Sequence, residues 1–366
     1  MALQQITNTD FQTGSVESYL SNNGGAFGFK NRVINGAMTI SQRYGTAAST
    51  ATYVLDRFAN NSNVGGLTYQ QNLNTIGGPV GFTNYMGCYV STTKTLGSGD
   101  YELIDHVIEG YNIADLQWGT PNAQPATLSF WVRSSVAGTY GVTVGDLANN
   151  NYISTYTIAA NTWTKVILNI PGPTSGTFSS TNGSGIGLRW HIQLGGSGAG
   201  SLNTWGQSWN ATVGASVGNG FMLTGGNAFY LTGVQFEKGT VATAFEYRDI
   251  SRELMMCQRY YEQSYPYGTT VSNFAGNNNS PNVIAMYMGL TGGSGYTMGW
   301  SHYWKVTKRT SPTVRTYSAS SPYTQGYMNN AGADVASSIS NVGTNSAFIY
   351  GSGNNMYFNI TMDAEF

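Results

Sequence analysis

Between residues 127 and 237 apolar and polar side chains alternate in one short run after another, each stopped by glycine, proline or asparagine. Thr127 to Arg133 alternates with the period of a half-buried strand, and Tyr140 to Val144 repeats the pattern. Thr164 to Ile170 follows and is stopped by Pro171-Gly172-Pro173. Gly185 to Leu194 is closed by Gly195-Gly196-Ser197-Gly198, and Ala228 to Glu237 forms another run. Short strands at this spacing, separated by turn residues, predict a β-sandwich or jelly roll. The 48 glycines in 366 residues are roughly twice the usual share of about 7% and fit tight turns and close strand packing.

Asp249 to Gln263 is the convincing helix: Asp249 or Ser251 can cap it, and Leu254, Cys257 and Tyr261 share a face. Strand patterns resume after it, at Val283 to Leu290, Ser301 to Thr307, Thr313 to Tyr317, Ala347 to Tyr350 and Met356 to Met362. The expected fold is therefore all-β. Residues 1–27 form a polar N-terminal arm, 28–248 a jelly-roll domain, 249–263 a linking helix and 264–366 a smaller β-sandwich. No repeat of fixed period marks a solenoid or propeller.

Composition removes several classes of function. Charged residues make up 9% of the chain, against about 25% in an ordinary domain. A net charge of −1 offers no basic surface for nucleic acid. No stretch approaches the roughly 18 consecutive apolar residues of a membrane helix. Met1 to Asp10 lacks the basic start and apolar run of a secretory signal. Cys88 and Cys257 are too few for a disulfide framework or a zinc site. An aromatic content of 13% argues against disorder.

Three segments resemble a widespread set of bacteriophage tail-fibre and virion-surface proteins. The first is Asn31 to Arg43 (NRVINGAMTISQR) with Tyr53-Val54-Leu55-Asp56-Arg57-Phe58, which resembles the first strand of their jelly-roll module. The second is Leu231 to Gly239 with Ala242 to Glu246, Glu253-Leu254 and Cys257 to Tyr261, which resembles the junction between that module and the next. The third is Lys305 to Val314 with Asp363-Ala364-Glu365-Phe366, which resembles their small C-terminal β-domain. Ile108-Glu109-Gly110, Ser129 to Val132 and Trp163-Thr164-Lys165 also resemble carbohydrate-binding jelly rolls. The resemblance implies a virion component made in the host cytoplasm, assembled as a homotrimer and held to other virion proteins. Many such fibres carry long N-terminal shafts. Here about 30 residues precede the first module, which favours a compact protein attached through its short arm.

The residues themselves point away from catalysis. His106, His191 and His302 are far apart and show neither metal-ligand spacing nor a nucleophile elbow. Asp100, Glu102, Asp105 and Glu109 could pair as glycosidase carboxylates; as strand-edge charges they would instead be solvated and discourage edge pairing. Calcium could use the same acids, but no catalytic residue, metal site or cofactor is assigned.

Sugar recognition needs an aromatic face with amides and hydroxyls around it. Trp205 and Trp209, with Asn203, Gln207 and Asn210, supply that combination in the polar stretch from Gly195 to Gly220. The alternative is that the two indoles pin a long loop to the sandwich. Trp131, Trp163 and Trp190 sit in alternating runs and are expected in the core, while Trp118 stands at a turn. Lys305, Lys308, Arg309 and Arg315 form a basic cluster that strand alternation splits between two faces, read as a solvated face or as a contact for an anionic glycan or a virion neighbour. The stripe Leu254, Cys257 and Tyr261 either lines a threefold oligomer axis or packs on its own sandwich. The leading expectation is a non-enzymatic short tail fibre or receptor-binding adhesin that contacts host cell-surface polysaccharide, without membrane insertion. A capsid decoration (cement) protein and a glycan depolymerase are the alternatives.

Overall fold

The computed structural model describes residues 29–196, 200–208, 220–270, 284–287, 297–318, 325–330, 333–353 and 355–366. The expected attachment arm, 1–27, lies outside the described residues, as do Trp209 and Asn210.

The first eleven strands are β1 (Tyr53–Leu55), β2 (Phe58–Ser62), β3 (Leu67–Gln71), β4 (Met86–Val90), β5 (Tyr101–Glu109), β6 (Ala126–Ser134), β7 (Gly138–Gly145), β8 (Asn151–Ile158), β9 (Thr164–Ile170), β10 (Ser184–Leu194) and β11 (Ala228–Lys238). They form a six-stranded sheet in the order β1-β2-β5-β10-β7-β8 and a five-stranded sheet in the order β3-β4-β11-β6-β9. The pairings within both sheets are antiparallel. One core lies between the two sheets. Trp190 from the first and Phe130 from the second meet edge to face at 5.7 Å, with Phe58, Phe229 and Phe236 fully buried around them. Alternation separates the tryptophans: Trp190 faces this core, whereas its expected companions Trp131 and Trp163 are only half-buried. Phe130 and Val132 take the inward positions on β6. Trp163 belongs to a cluster with Tyr85 and Tyr230 and donates to the Gly77 carbonyl at 2.9 Å.

The Asn31 to Arg43 segment explains itself locally. Asn35 adopts φ 62°, and its side chain bonds both Ile40 backbone groups at 2.8 Å, closing a turn. The turn lies against β11, where Val234 N donates to the Gly36 carbonyl, and a Cβ at Gly36 would stand 2.1 Å from the Val234 oxygen. Only glycine tolerates that approach.

Helix α1 spans Ile250–Gln258, and the Asp249 side chain caps it by accepting from the Arg252 amide at 3.0 Å. It is shorter than the sequence pattern suggests. Tyr261 belongs to strand β12 (Tyr261–Gln263), which opens the second domain. The remaining strands are β13 (Ile284–Tyr287), β14 (Thr297–Tyr303), β15 (Thr313–Ser318), β16 (Tyr327–Asn330), β17 (Ala333–Ser340), β18 (Ser346–Ser352) and β19 (Asn355–Asp363). They join in the path β12-β19-β16-β17-β18-β14, with β13 and β15 also paired to β19. The sheet curls so that Ile349 of β18 and Met356, Phe358 and Ile360 of β19 share one core with Met328. The all-β expectation holds, with α1 between the two β-domains. Among the described residues no helix is long and apolar enough to cross a membrane.

The stripe expected at an oligomer axis is closed within the chain. Cys257 is fully buried with Tyr260, Ile34 and Ile40, and Leu254 packs against them. Tyr261 is 5% exposed, with the Arg43 guanidinium 3.5 Å over its ring. A helix this short and amphipathic gains most by covering its own domain. Its solvent side carries Ile250 and Met255 instead.

Candidate functional site

The three segments singled out by resemblance meet in space, and what they build is a clamp. Arg57 is 2% exposed, its guanidinium 3.6 Å over the Tyr260 ring and paired with Glu365. Arg43 bonds Asp363 at 3.2 Å, and Arg309 lies 3.9 Å over the Phe366 ring while donating to the Ala364 and Glu365 carbonyls. Glu109 accepts from the Arg259 guanidinium at 2.5 and 2.8 Å and from the Tyr260 hydroxyl at 2.7 Å. Lys308 is buried against Glu262 at 2.6 Å. The basic cluster therefore splits: Lys305 and Arg315 are exposed, whereas Lys308 and Arg309 hold the chain terminus and the helix end. The split expected from strand alternation is present, and the solvated-face reading holds for Lys305 and Arg315 but not for Lys308 and Arg309.

The acidic candidates on β5 are also buried rather than solvated, because β5 is central, flanked by β2 and β10. Asp105 forms a two-pronged pair with Arg189 at 2.6 and 2.7 Å and accepts from Asn61 at 2.8 Å. Burial pushes the Glu102 carboxyl up to about 7, against the opposing influence of Ser62 and Lys94. Burial pushes Asp56 up to about 6, opposed by Arg43 and by hydrogen bonds from Gln42. His191 is pushed down to about 3 by burial and by Arg189, and bonds Thr143 at 2.8 Å. His106 is held well below its ordinary value by burial and by Arg57, and its ring lies 4.7 Å from Phe58, tilted by 46°. Both imidazoles are neutral at physiological pH and unsuited to proton transfer.

Of the expected sugar-contacting residues, the structure places three. The Trp205 indole N–H donates to the Pro171 carbonyl at 2.7 Å, and its ring meets Trp118, Tyr152 and Phe178 at 5.3, 5.6 and 6.2 Å. Gln207 bridges β8 through the Asn151 backbone and turns its amide back onto Ser201 and Thr204. Asn203 is exposed, takes φ 57° and donates its backbone N–H to the Ile153 carbonyl at 2.8 Å. Trp205 anchors the loop to the sandwich, and the polar groups of Gln207 are engaged in holding its shape.

An exposed aromatic surface occurs elsewhere, on the outer face of the second domain. Along β18, Ala347, Ile349 and Gly351 are buried, leaving Phe348 exposed and Tyr350 half-buried on the opposite face. Their ring centroids are 5.7 Å apart and their planes differ by 31°. Directly opposite residues share a face, so Ser301 and Ser340 flank Phe348, while Gly299 and Ser338 flank Tyr350. Tyr303 extends the same face at 71% exposure. A Cβ at Gly299 would stand 2.2 Å from the tip of the Phe348 ring, so the ring lies across that glycine, close against the strand. The sequence signal was the second apolar series in Ser346 to Ser352, where Phe and Tyr alternate with Ala, Ile and Gly. With both series apolar, alternation alone cannot say which one faces water.

No protein-family model matches the chain, and no curated protein matches it in sequence. Solved structures resemble it in shape. The enzymatically active domain of tailspike protein 4 from bacteriophage CBA120 is 12% identical, with 57% of this chain and 21% of that chain covered and a TM-score of 0.31. A carbohydrate-binding module in complex with β-1,4-galactotriose is 8% identical, with 57% and 99% covered and a TM-score of 0.30. A family 11 carbohydrate-binding module from Clostridium thermocellum, in complex with a β-1,3-1,4-mixed-linked tetrasaccharide, is 10% identical, with 55% and 99% covered and a TM-score of 0.27. This chain spans about a fifth of the tailspike domain it matches.

Proposed function

We propose that this chain is a structural bacteriophage virion protein, a short tail fibre or receptor-binding adhesin that holds host surface glycans without cleaving them. One observation carries the reading: among the described residues four carboxylates are locked in buried ion pairs, while aromatic side chains stand exposed on the outer face of the second domain. Asp105, Glu109, Glu262 and Glu365 are each buried and paired with Arg189, Arg259, Lys308 and Arg57. On the outer face of the second domain Phe348 is 36% and Tyr303 71% exposed. Exposed apolar surface marks an interaction site, and aromatic faces beside hydroxyls suit the mixed apolar and polar surface of a sugar ring. In this reading the protein acts as a homotrimer on the particle and is attached through residues 1–27. The test is binding of the purified full chain to an array of bacterial surface polysaccharides, together with competition for phage adsorption to host cells. Saturable binding and blocked adsorption are expected; absence of both would remove the adhesin role.

A further inference from the structure

Resting on that adhesin reading, we infer that the outer face of β18 is the glycan site, a strip on which a neutral polysaccharide chain runs along the strand and stacks on Phe348 and Tyr350.

The geometry favours a sugar chain. The planes of the two rings differ by 31° and their centroids are 5.7 Å apart, a spacing close to one pyranose residue, so consecutive sugars can each meet one ring. Gly299 is what lets the Phe348 ring lie close against the strand, since any side chain there would strike the ring and lift it. Ser301, Ser338 and Ser340 stand beside the rings. A hydroxyl both donates and accepts, which matches the ring hydroxyls of a sugar. The choice of neutral over anionic ligand follows from charge. The face formed by Gly299, Ser301, Tyr303, Ser338, Ser340, Phe348 and Tyr350 contains no ionisable cation that could pair with a carboxylate or phosphate. An anionic glycan laid here would lose hydration without gaining a partner. The strip is also firmly backed: Ile349 and Ala347, on the reverse of the same strand, are fully buried in the domain core, so its rings are positioned before a ligand arrives.

The experiment uses the full chain on an array of neutral and acidic bacterial polysaccharides, followed by titration of the best binder against Phe348→Ala, Tyr350→Ala, Gly299→Ala and the conservative Phe348→Tyr. Melting temperature and solution mass are recorded for each variant. The expected result is that unmodified protein prefers neutral polysaccharide. Each alanine replacement of a ring should weaken binding about ten-fold, as for loss of a stacking partner. Gly299→Ala should weaken binding with Phe348 intact, and Phe348→Tyr should retain most of it. Three outcomes overturn the site. The first is undiminished binding by the folded ring variants, which leaves the adhesin function standing and moves it elsewhere. The second is a lowered melting temperature with unchanged affinity, which makes Phe348 a cover for a strand glycine. The third is a variant whose mass falls to that of a monomer while its affinity holds, which makes the face a contact between copies. If the unmodified chain binds no polysaccharide, the function itself fails and this site fails with it.

Discussion

The guanidinium of Arg57 lies 3.6 Å over the ring of Tyr260, joining the start of the jelly roll to the turn between α1 and β12. The same guanidinium pairs with Glu365, next to the last residue of the chain. Sites more than 300 positions apart are thus held at one point, and three segments distant in sequence become a single structural unit.

Replacing Arg57 by methionine leaves Glu365, 4% exposed at its side chain, without that partner, although Arg43 remains 3.7 Å away. Breaking a buried pair costs about 3–5 kcal/mol, and the Arg43 contact places the expected loss at the lower end. Denaturant unfolding of Arg57→Met should show a lowered midpoint, with the second domain melting apart from the first. Adding Glu365→Leu should recover much of the loss. Equal stability of wild type and the single variant would show that the clamp is incidental.

Glu102 sets a pH dependence. Its carboxyl titrates near 7 when folded, against an ordinary value of 4.5. Below about 4.5 it is protonated in both states and contributes no pH dependence. Between 4.5 and 7 the unfolded chain releases the proton while the folded one keeps it, so stability falls as pH rises, then levels off. Asp56, pushed up to about 6, adds the same sign over a narrower range. Glu102→Gln should flatten the curve and stabilise the protein at pH 8. Melting curves from pH 4 to pH 8 check this, and an unaltered slope in the variant would show that Glu102 does not titrate in this range.

Trp205 should behave as an anchor. Trp205→Ala removes the bond to Pro171 and the contacts with Trp118, Tyr152 and Phe178. The expected cost is about 3 kcal/mol, the low end for a truncated Trp because this one is half-buried. Glycan binding per folded molecule should stay constant. Weaker binding without a stability loss would return Trp205 to the ligand site.

The arm gives a prediction at the level of the particle. A chain lacking residues 1–27 should fold with an unchanged melting temperature and bind glycans, yet fail to enter virions. Immunodetection on purified particles reads this directly, and normal incorporation would remove the attachment role.

The strands were legible in the sequence because a half-buried strand alternates with period two, as Thr127 to Arg133 and Gly185 to Leu194 do. The helix was legible, but its end was not. Tyr261 continues the apolar stripe of Leu254 and Cys257, and only its pairing with Asp363, about a hundred residues away, turns it into a strand. Lys308 and Glu109 look like surface charges because their partners, Glu262 and Arg259, come from other segments. Trp131 and Trp190 carry the same local pattern, yet one lies outward and the other inward; which face a second sheet covers is a long-range fact. The aromatic strip on β18 was hidden for the same reason, since Ala347, Ile349, Phe348 and Tyr350 are apolar on both faces.

We propose that this protein holds glycan without cutting it. The most direct measurement incubates the full chain with the host polysaccharide it binds and follows two quantities together: the fraction of polysaccharide retained on the protein, and the reducing ends released over time. Saturable retention is expected, with reducing ends no higher than in a protein-free control. A steady, enzyme-proportional rise in reducing ends would contradict it.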